Sequence, residues 1–126
     1  MAHILVIEDD EQFRDILQQM LTRDAHQVTT APDGSAALTL LKSIRPELII
    51  TDILMPKMDG IETIMELLQS GNATPIIAMS GGGRSLAADS ALGLTELMGV
   101  KATLIKPFSR AELRKAIEDA LARPVP

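Results

Sequence analysis

The chain has no cysteine, no tryptophan and no tyrosine, and its 126 residues include two phenylalanines, Phe13 and Phe108. Without cysteine there is no disulfide framework, no thiolate nucleophile and no sulfur ligand for a metal. With aromatic residues at 2%, almost nothing is left from which to build a stacking platform for bases or a flavin ring. Basic charge is also short. Twelve Lys and Arg stand against seventeen Asp and Glu, for a net charge of −5 with no basic run, which argues against nucleic-acid binding through this chain. No stretch approaches the roughly 18 uninterrupted apolar residues of a membrane span. The opening MAHILVIEDD passes from a short apolar stretch into acids, the wrong order for a secretory signal. Asn72-Ala73-Thr74 fits a glycosylation sequon, but without a secretory route it reads as chance. A cytoplasmic protein without membrane association is expected.

What is present suits one folded domain. Hydrophobic residues make up 46% and charged residues 23%, proportions that fit a compact soluble fold rather than disorder. Short apolar runs alternate with longer amphipathic ones. His3–Ile7 reads as a strand ending in Glu8, Asp9 and Asp10. Phe13, Ile16, Leu17, Met20 and Leu21 then recur at helical spacing. Gln27–Ala31 is short and β-branched, a second strand closed by the turn-prone Pro32-Asp33-Gly34. Ala37, Leu40, Leu41 and Ile44 form a second helical stripe, stopped before Pro46. Residues 48–51 are a third strand, again ending in an acid, Asp52. A loop with Pro56 and Gly60 leads to a helix carrying Ile61, Ile64, Met65 and Leu68.

Residues 75–79 form a fourth strand running into Ser80 and three glycines, and 84–98 is Ala- and Leu-rich, hence helical. A fifth strand, Ala102–Ile105, ends in Lys106-Pro107. Ser109, with Glu112 three residues later, has the form of a capping box for a last helix with Leu113, Ala116, Ile117, Ala120 and Leu121 on its buried face. Five strands alternating with five helices imply an α/β fold, a parallel sheet covered on both faces. Its right-handed crossovers bring every strand's carboxyl end to one edge, where ligand chemistry is expected.

The strand ends supply a distinctive set: Glu8 and Asp9, with Asp10 as a further candidate, then Asp52, Ser80 and Lys106. One acid after a strand is ordinary. Three carboxylates, a hydroxyl and an ammonium at one edge are not, because crowded carboxylates repel and packing does not call for them. A divalent cation resolves the repulsion, and an all-oxygen site selects a hard ion such as Mg2+. The cation, the ammonium and the hydroxyl together suit phosphoryl chemistry. Glu8 and Asp9, being adjacent, suit metal ligation, which leaves Asp52 on the central strand as the nucleophile that would form an acyl phosphate. His3 and His26 fall near strand starts, at the opposite end, and are read as structural or exposed.

Four segments carry a family resemblance: ILVIEDDE at 4–11, DILMPKMDG at 52–60, IIAMSG at 76–81 and IKPF at 105–108. The chain resembles the receiver (CheY-like) domain of bacterial two-component response regulators along 1–122, with 123–126 as a tail or the start of a linker. The resemblance implies a doubly wound (βα)5 three-layer sandwich with strand order 2-1-3-4-5. It implies that Asp52 takes phosphate from a phosphohistidine on a histidine kinase or phosphotransfer protein. It further implies that Glu8, Asp9, Asp52 and the backbone carbonyl of Leu54 hold Mg2+, that Ser80 swings toward the phosphoryl group, and that Lys106 contacts it. Asp10 lies one residue past the acid pair and is left out. The Lys106–Pro107 bond is expected to be cis. The protein would be a switch acting on an unidentified downstream protein, catalysing only its own phosphotransfer and autodephosphorylation.

Two departures from the family pattern stand out. The aromatic residue usual three positions before the lysine is Thr103 here, so the signal is expected to pass through Ser80 and 81–92 instead. The interval from Ser80 to Lys106 is also several residues longer than is common. Two other readings are weaker. An Mg2+-dependent phosphohydrolase working through an aspartyl phosphate would need an acid two residues after the nucleophile, where this chain has Leu54. A flavodoxin-like carrier would need a hydroxyl- and glycine-rich phosphate loop after the first strand, where Glu8-Asp9-Asp10 offers repulsion.

Overall fold

The computed structural model describes residues 2–53, 60–71, 73–81 and 99–122. Within them lie β1 (His3–Ile7), α1 (Glu11–Arg23), β2 (Gln27–Ala31), α2 (Gly34–Leu40), β3 (Leu48–Asp52), α3 (Gly60–Gln69), β4 (Ile76–Ser80), β5 (Ala102–Ile105) and α4 (Arg110–Leu121). The strands form one parallel sheet in the order β2-β1-β3-β4-β5, as the resemblance implied. The helical reading of 84–98, the Leu54 carbonyl, Asn72 and the tail 123–126 lie outside the described residues.

Strand alternation divides the core in two. Ile4, Val6, Leu48, Ile50, Ile77, Met79 and Leu104 face α1 and α4, meeting Leu17, Leu21, Leu113, Ala116 and Ile117. Leu5, Ile7, Ile49, Ile76 and Ala78 face α2 and α3, meeting Ala37, Ile64 and Leu67. Central strands β3 and β4 are buried at every position, which accounts for their near-continuous apolar sequence.

Helix starts follow local chemistry. The Asp10 carboxylate accepts from the Phe13 N–H at 3.2 Å, and that of Asp33 from the Ala36 N–H at 2.8 Å. Ser109 and Glu112 form the expected reciprocal capping box. Asp10 therefore has a structural task as the cap of α1. At the far end of α1, Ala25 takes a left-handed φ of 67°, a conformation glycine usually supplies.

Some apolar positions differ from the expected stripes. Ile16 is 53% exposed, Met65 47%, Leu68 48% and Leu121 36%. A helix lying on a sheet buries a narrow line of side chains, so residues on the flank of a wide apolar stripe still face outward. The second helix also ends at Leu40 rather than Ile44. Its continuation tightens into i→i+3 bonds, Lys42 N–H to Thr39 O at 3.2 Å and Ser43 N–H to Leu40 O at 2.9 Å, while Leu41 and Ile44 still pack on the core. Both histidines are structural: His3 Nε2 lies 2.8 Å from Thr29 Oγ1, and His26 Nδ1 accepts from the Ala2 N–H at 3.1 Å.

Candidate functional site: an acid cluster bridged by one lysine

Register sets the geometry of the carboxyl edge. Ile7 pairs with Thr51, so the next residues, Glu8 and Asp52, stand level with each other. Asp52 pairs with Met79 and Ser80 with Ile105, so Ser80 and then Lys106 follow in a one-residue stagger across the sheet. Backbone bonds fix these ends: Glu8 N–H to Ala31 O at 3.0 Å, Ile53 N–H to Met79 O at 3.0 Å and Lys106 N–H to Ser80 O at 2.9 Å. Alternation turns Glu8, Asp52 and Lys106 toward the α1/α4 face and Ser80 toward the other.

Of the residues expected at the site, Glu8, Asp52 and Lys106 are brought into direct contact. Lys106 Nζ donates to Asp52 Oδ2 at 2.7 Å and also bonds the Glu8 carboxylate through Oε1. Glu8 is fully buried and Asp52 nearly so, whereas Asp9 is exposed. One carboxylate oxygen from each of Glu8, Asp9 and Asp52 falls within 4.8 Å of the others. Ser80 is buried at the end of β4, its hydroxyl donating to the Gly81 carbonyl at 3.3 Å. The Lys106–Pro107 peptide bond is cis.

The electrostatics show the crowding. Burial pushes the Glu8 carboxyl up to about 7, the charge of Asp52 adds to the rise, and hydrogen bonds from Lys106 and the Asp10 N–H oppose it. For Lys106, burial favours the neutral amine, but bonds to Asp52 and Glu8 outweigh it and hold the ammonium above the ordinary lysine range. The Lys106 ammonium thus serves two buried acids. An all-oxygen cluster carrying more negative charge than its lysine offsets is the donor set that a hard divalent cation fits.

Two contacts at the site were not legible in the pattern. Arg14 Nη1 donates to the Glu8 carbonyl oxygen at 3.0 Å, bracing the end of β1. Phe13, read only as part of a buried stripe, places its ring 4.3 Å from Lys106 Nζ and meets Phe108 edge-to-face at 5.6 Å between centroids. Helical spacing identifies a buried face but not what lies across it.

Residues 4–118 match the family described as the response regulator receiver domain, and the chain belongs to that family. It is 35% identical to the alkaline phosphatase synthesis transcriptional regulatory protein PhoP of Bacillus subtilis, over 95% of this chain and 48% of that protein. It is 33% identical to the response regulator MprA of Mycolicibacterium vanbaalenii, over 99% of this chain and 52% of that protein. The chain thus spans about half the length of these curated relatives. Among solved structures it resembles FixJ-N, with a TM-score of 0.84 and 27% identity over 100% of this chain and 98% of that one. The chemotaxis protein CheY4 of Vibrio cholerae gives a TM-score of 0.82 and 29% identity over 96% and 99%. The chain is a phosphoacceptor signalling domain of the two-component type. Members of the family bind Mg2+ at an acidic pocket, and among the described residues no helix is long and apolar enough to cross a membrane.

Proposed function

We propose that Asp52 is the phosphoacceptor and that the receiver unit runs over residues 1–122. The observation that carries this is the placement of Asp52: a buried carboxylate at the end of the central strand, bonded to Lys106 and flanked by Glu8 and Asp9. An Asp52 carboxylate oxygen attacks the phosphorus of a phosphohistidine on a histidine kinase or phosphotransfer protein. The P–N bond breaks, the imidazole leaves and takes up a proton, and an acyl phosphate forms on Asp52. Lys106 offsets charge on the phosphoryl oxygens, and Ser80 swings from the Gly81 carbonyl to donate its hydroxyl to one of them.

Glu8, Asp9, Asp52 and the Leu54 carbonyl would hold Mg2+. When bound, that ion supplies charge neutralisation at the phosphoryl oxygens. Hydrolysis of the acyl phosphate by water at the same site returns the free carboxylate, so the domain times its own signal. The phosphorylated surface is read by a downstream protein in the cytoplasm, and the net charge of −5 disfavours direct contact with nucleic acid through this chain.

The test is incubation with acetyl phosphate and Mg2+, followed by intact-mass measurement. Wild-type protein gains the mass of one phosphoryl group, and Asp52→Asn does not. A wild-type protein that stays unmodified, or an Asp52→Asn protein that is still modified to the same extent, overturns the reading.

A further inference from the structure

The chain's two aromatic rings meet at the site, although they lie far apart in sequence. Phe13 sits in the first turn of α1, where its N–H is anchored to the Asp10 cap. Phe108 follows β5, and its ring meets that of Phe13 at 86°, the edge-to-face geometry that aromatic pairs favour. Both are partly buried against the core of the α1/α4 face. The pair fixes the Phe13 ring under the Lys106 ammonium, 4.3 Å from Nζ to centroid, within range of a cation–π attraction.

Among the described residues, Lys106 therefore has three partners at its charged end: Glu8, Asp52 and the face of Phe13. The first two change during the proposed cycle, which this inference takes as its basis. Asp52 is converted to an acyl phosphate, and Glu8 is shared with the cation site. The attraction of the ring depends on neither event. We propose that Phe13 is a positioning residue for phosphotransfer: its ring holds the Lys106 ammonium at the Asp52 carboxylate while the lysine's other partners are being exchanged. A leucine would fill much of the same volume, but it lacks the negative ring face that attracts the cation.

The experiment replaces Phe13 with a series of progressively fluorinated phenylalanines, incorporated at that position alone, alongside Phe13→Leu and Phe13→Tyr. Fluorination keeps the ring's shape while draining the electron density that attracts the cation. Phosphorylation by acetyl phosphate at saturating Mg2+ should slow progressively along the series. Phe13→Leu should be slower by about three- to tenfold, the range expected from a partly exposed cation–π contact. Phe13→Tyr should recover the rate, and Mg2+ affinity should stay within about twofold throughout. In parallel, NMR of the unphosphorylated protein should show the Lys106 ε-methylene protons shifted upfield by the ring and returning toward ordinary values in Phe13→Leu. A flat rate across the fluorinated series, or Lys106 signals indifferent to loss of the ring, overturns the proposal. The NMR result stands apart from phosphorylation, so a wild-type protein that accepts no phosphoryl group refutes the function proposed above while the lysine–ring contact is still decided.

Discussion

Lys106 Nζ lies 2.7 Å from Asp52 Oδ2, joining the end of β5 to the end of β3 across the intervening strand β4. The same ammonium bonds Glu8 at the end of β1. One side chain thus gathers three strand ends, and its loss would leave two buried acids facing each other.

Lys106→Met keeps most of the aliphatic length of the side chain and removes its charge. Urea denaturation at pH 8 without Mg2+ should show a loss of about 1–3 kcal/mol, because breaking a buried pair strands its partner. Added Mg2+ should restore part of the loss. A variant as stable as the wild type, with no response to Mg2+, would show that the lysine does not balance these acids.

Glu8 sets a pH dependence. Its folded value of about 7 lies above the ordinary carboxylate value of 4.5, so the folded state binds the proton more tightly than the unfolded chain. The stability gained this way is complete below about pH 4.5 and is lost as pH rises through 7. Thermal melts without Mg2+ should therefore show a contribution favouring pH 6 over pH 8 that Glu8→Gln removes. Protons and Mg2+ compete for the same carboxylate, so Mg2+ affinity should rise with pH across this window. Calorimetry in buffers of different ionisation enthalpy reads the released proton directly.

The Ser109 capping box is the anchor of α4. Ser109→Ala should cost about 1 kcal/mol in chemical denaturation, and Ser109→Asp should keep most of that stability. The acyl phosphate lifetime should change little, because the cap lies outside the acid cluster.

Asp24 closes α1 and joins it to α4 through Arg110, with Arg114 Nε at 3.3 Å. The hydrogen bond from Arg110 holds the Asp24 carboxyl below its ordinary value. The associated stability is present above about pH 3.8 and is lost as pH falls through the lower folded value. Asp24→Asn should lower the melting temperature slightly at pH 7, with the difference shrinking at pH 3 and in molar salt.

Local signals carried most of the fold. Apolar runs at 48–51 and 75–79 marked the buried strands, and Ser109 with Glu112 marked a helix start, because each depends on neighbours close in sequence. The acids and the lysine were legible as a site because a parallel sheet brings all its strand ends to one edge. Residue-level burial was less so: Ile16 and Leu17 both belong to the apolar stripe of α1, yet one is exposed and the other buried. Which of them meets the sheet depends on helix rotation, a tertiary property. The contact of Phe13 with Lys106 joins elements at opposite ends of the chain, and periodicity has no access to it. The aromatic shortage gains a location from it: Phe13 lies against the lysine, Phe108 meets Phe13, and position 103 holds a partly exposed threonine.

In the proposed cycle Asp52 is the residue that carries the phosphoryl group. Borohydride reduction of the phosphorylated protein converts an aspartyl phosphate to homoserine, and peptide mass spectrometry then locates it. Homoserine is expected at position 52 and at no other aspartate, with none formed when Mg2+ is withheld during phosphorylation. Homoserine at Asp9 or Asp10, or an acid-stable phosphate on Ser80 in its place, would contradict it.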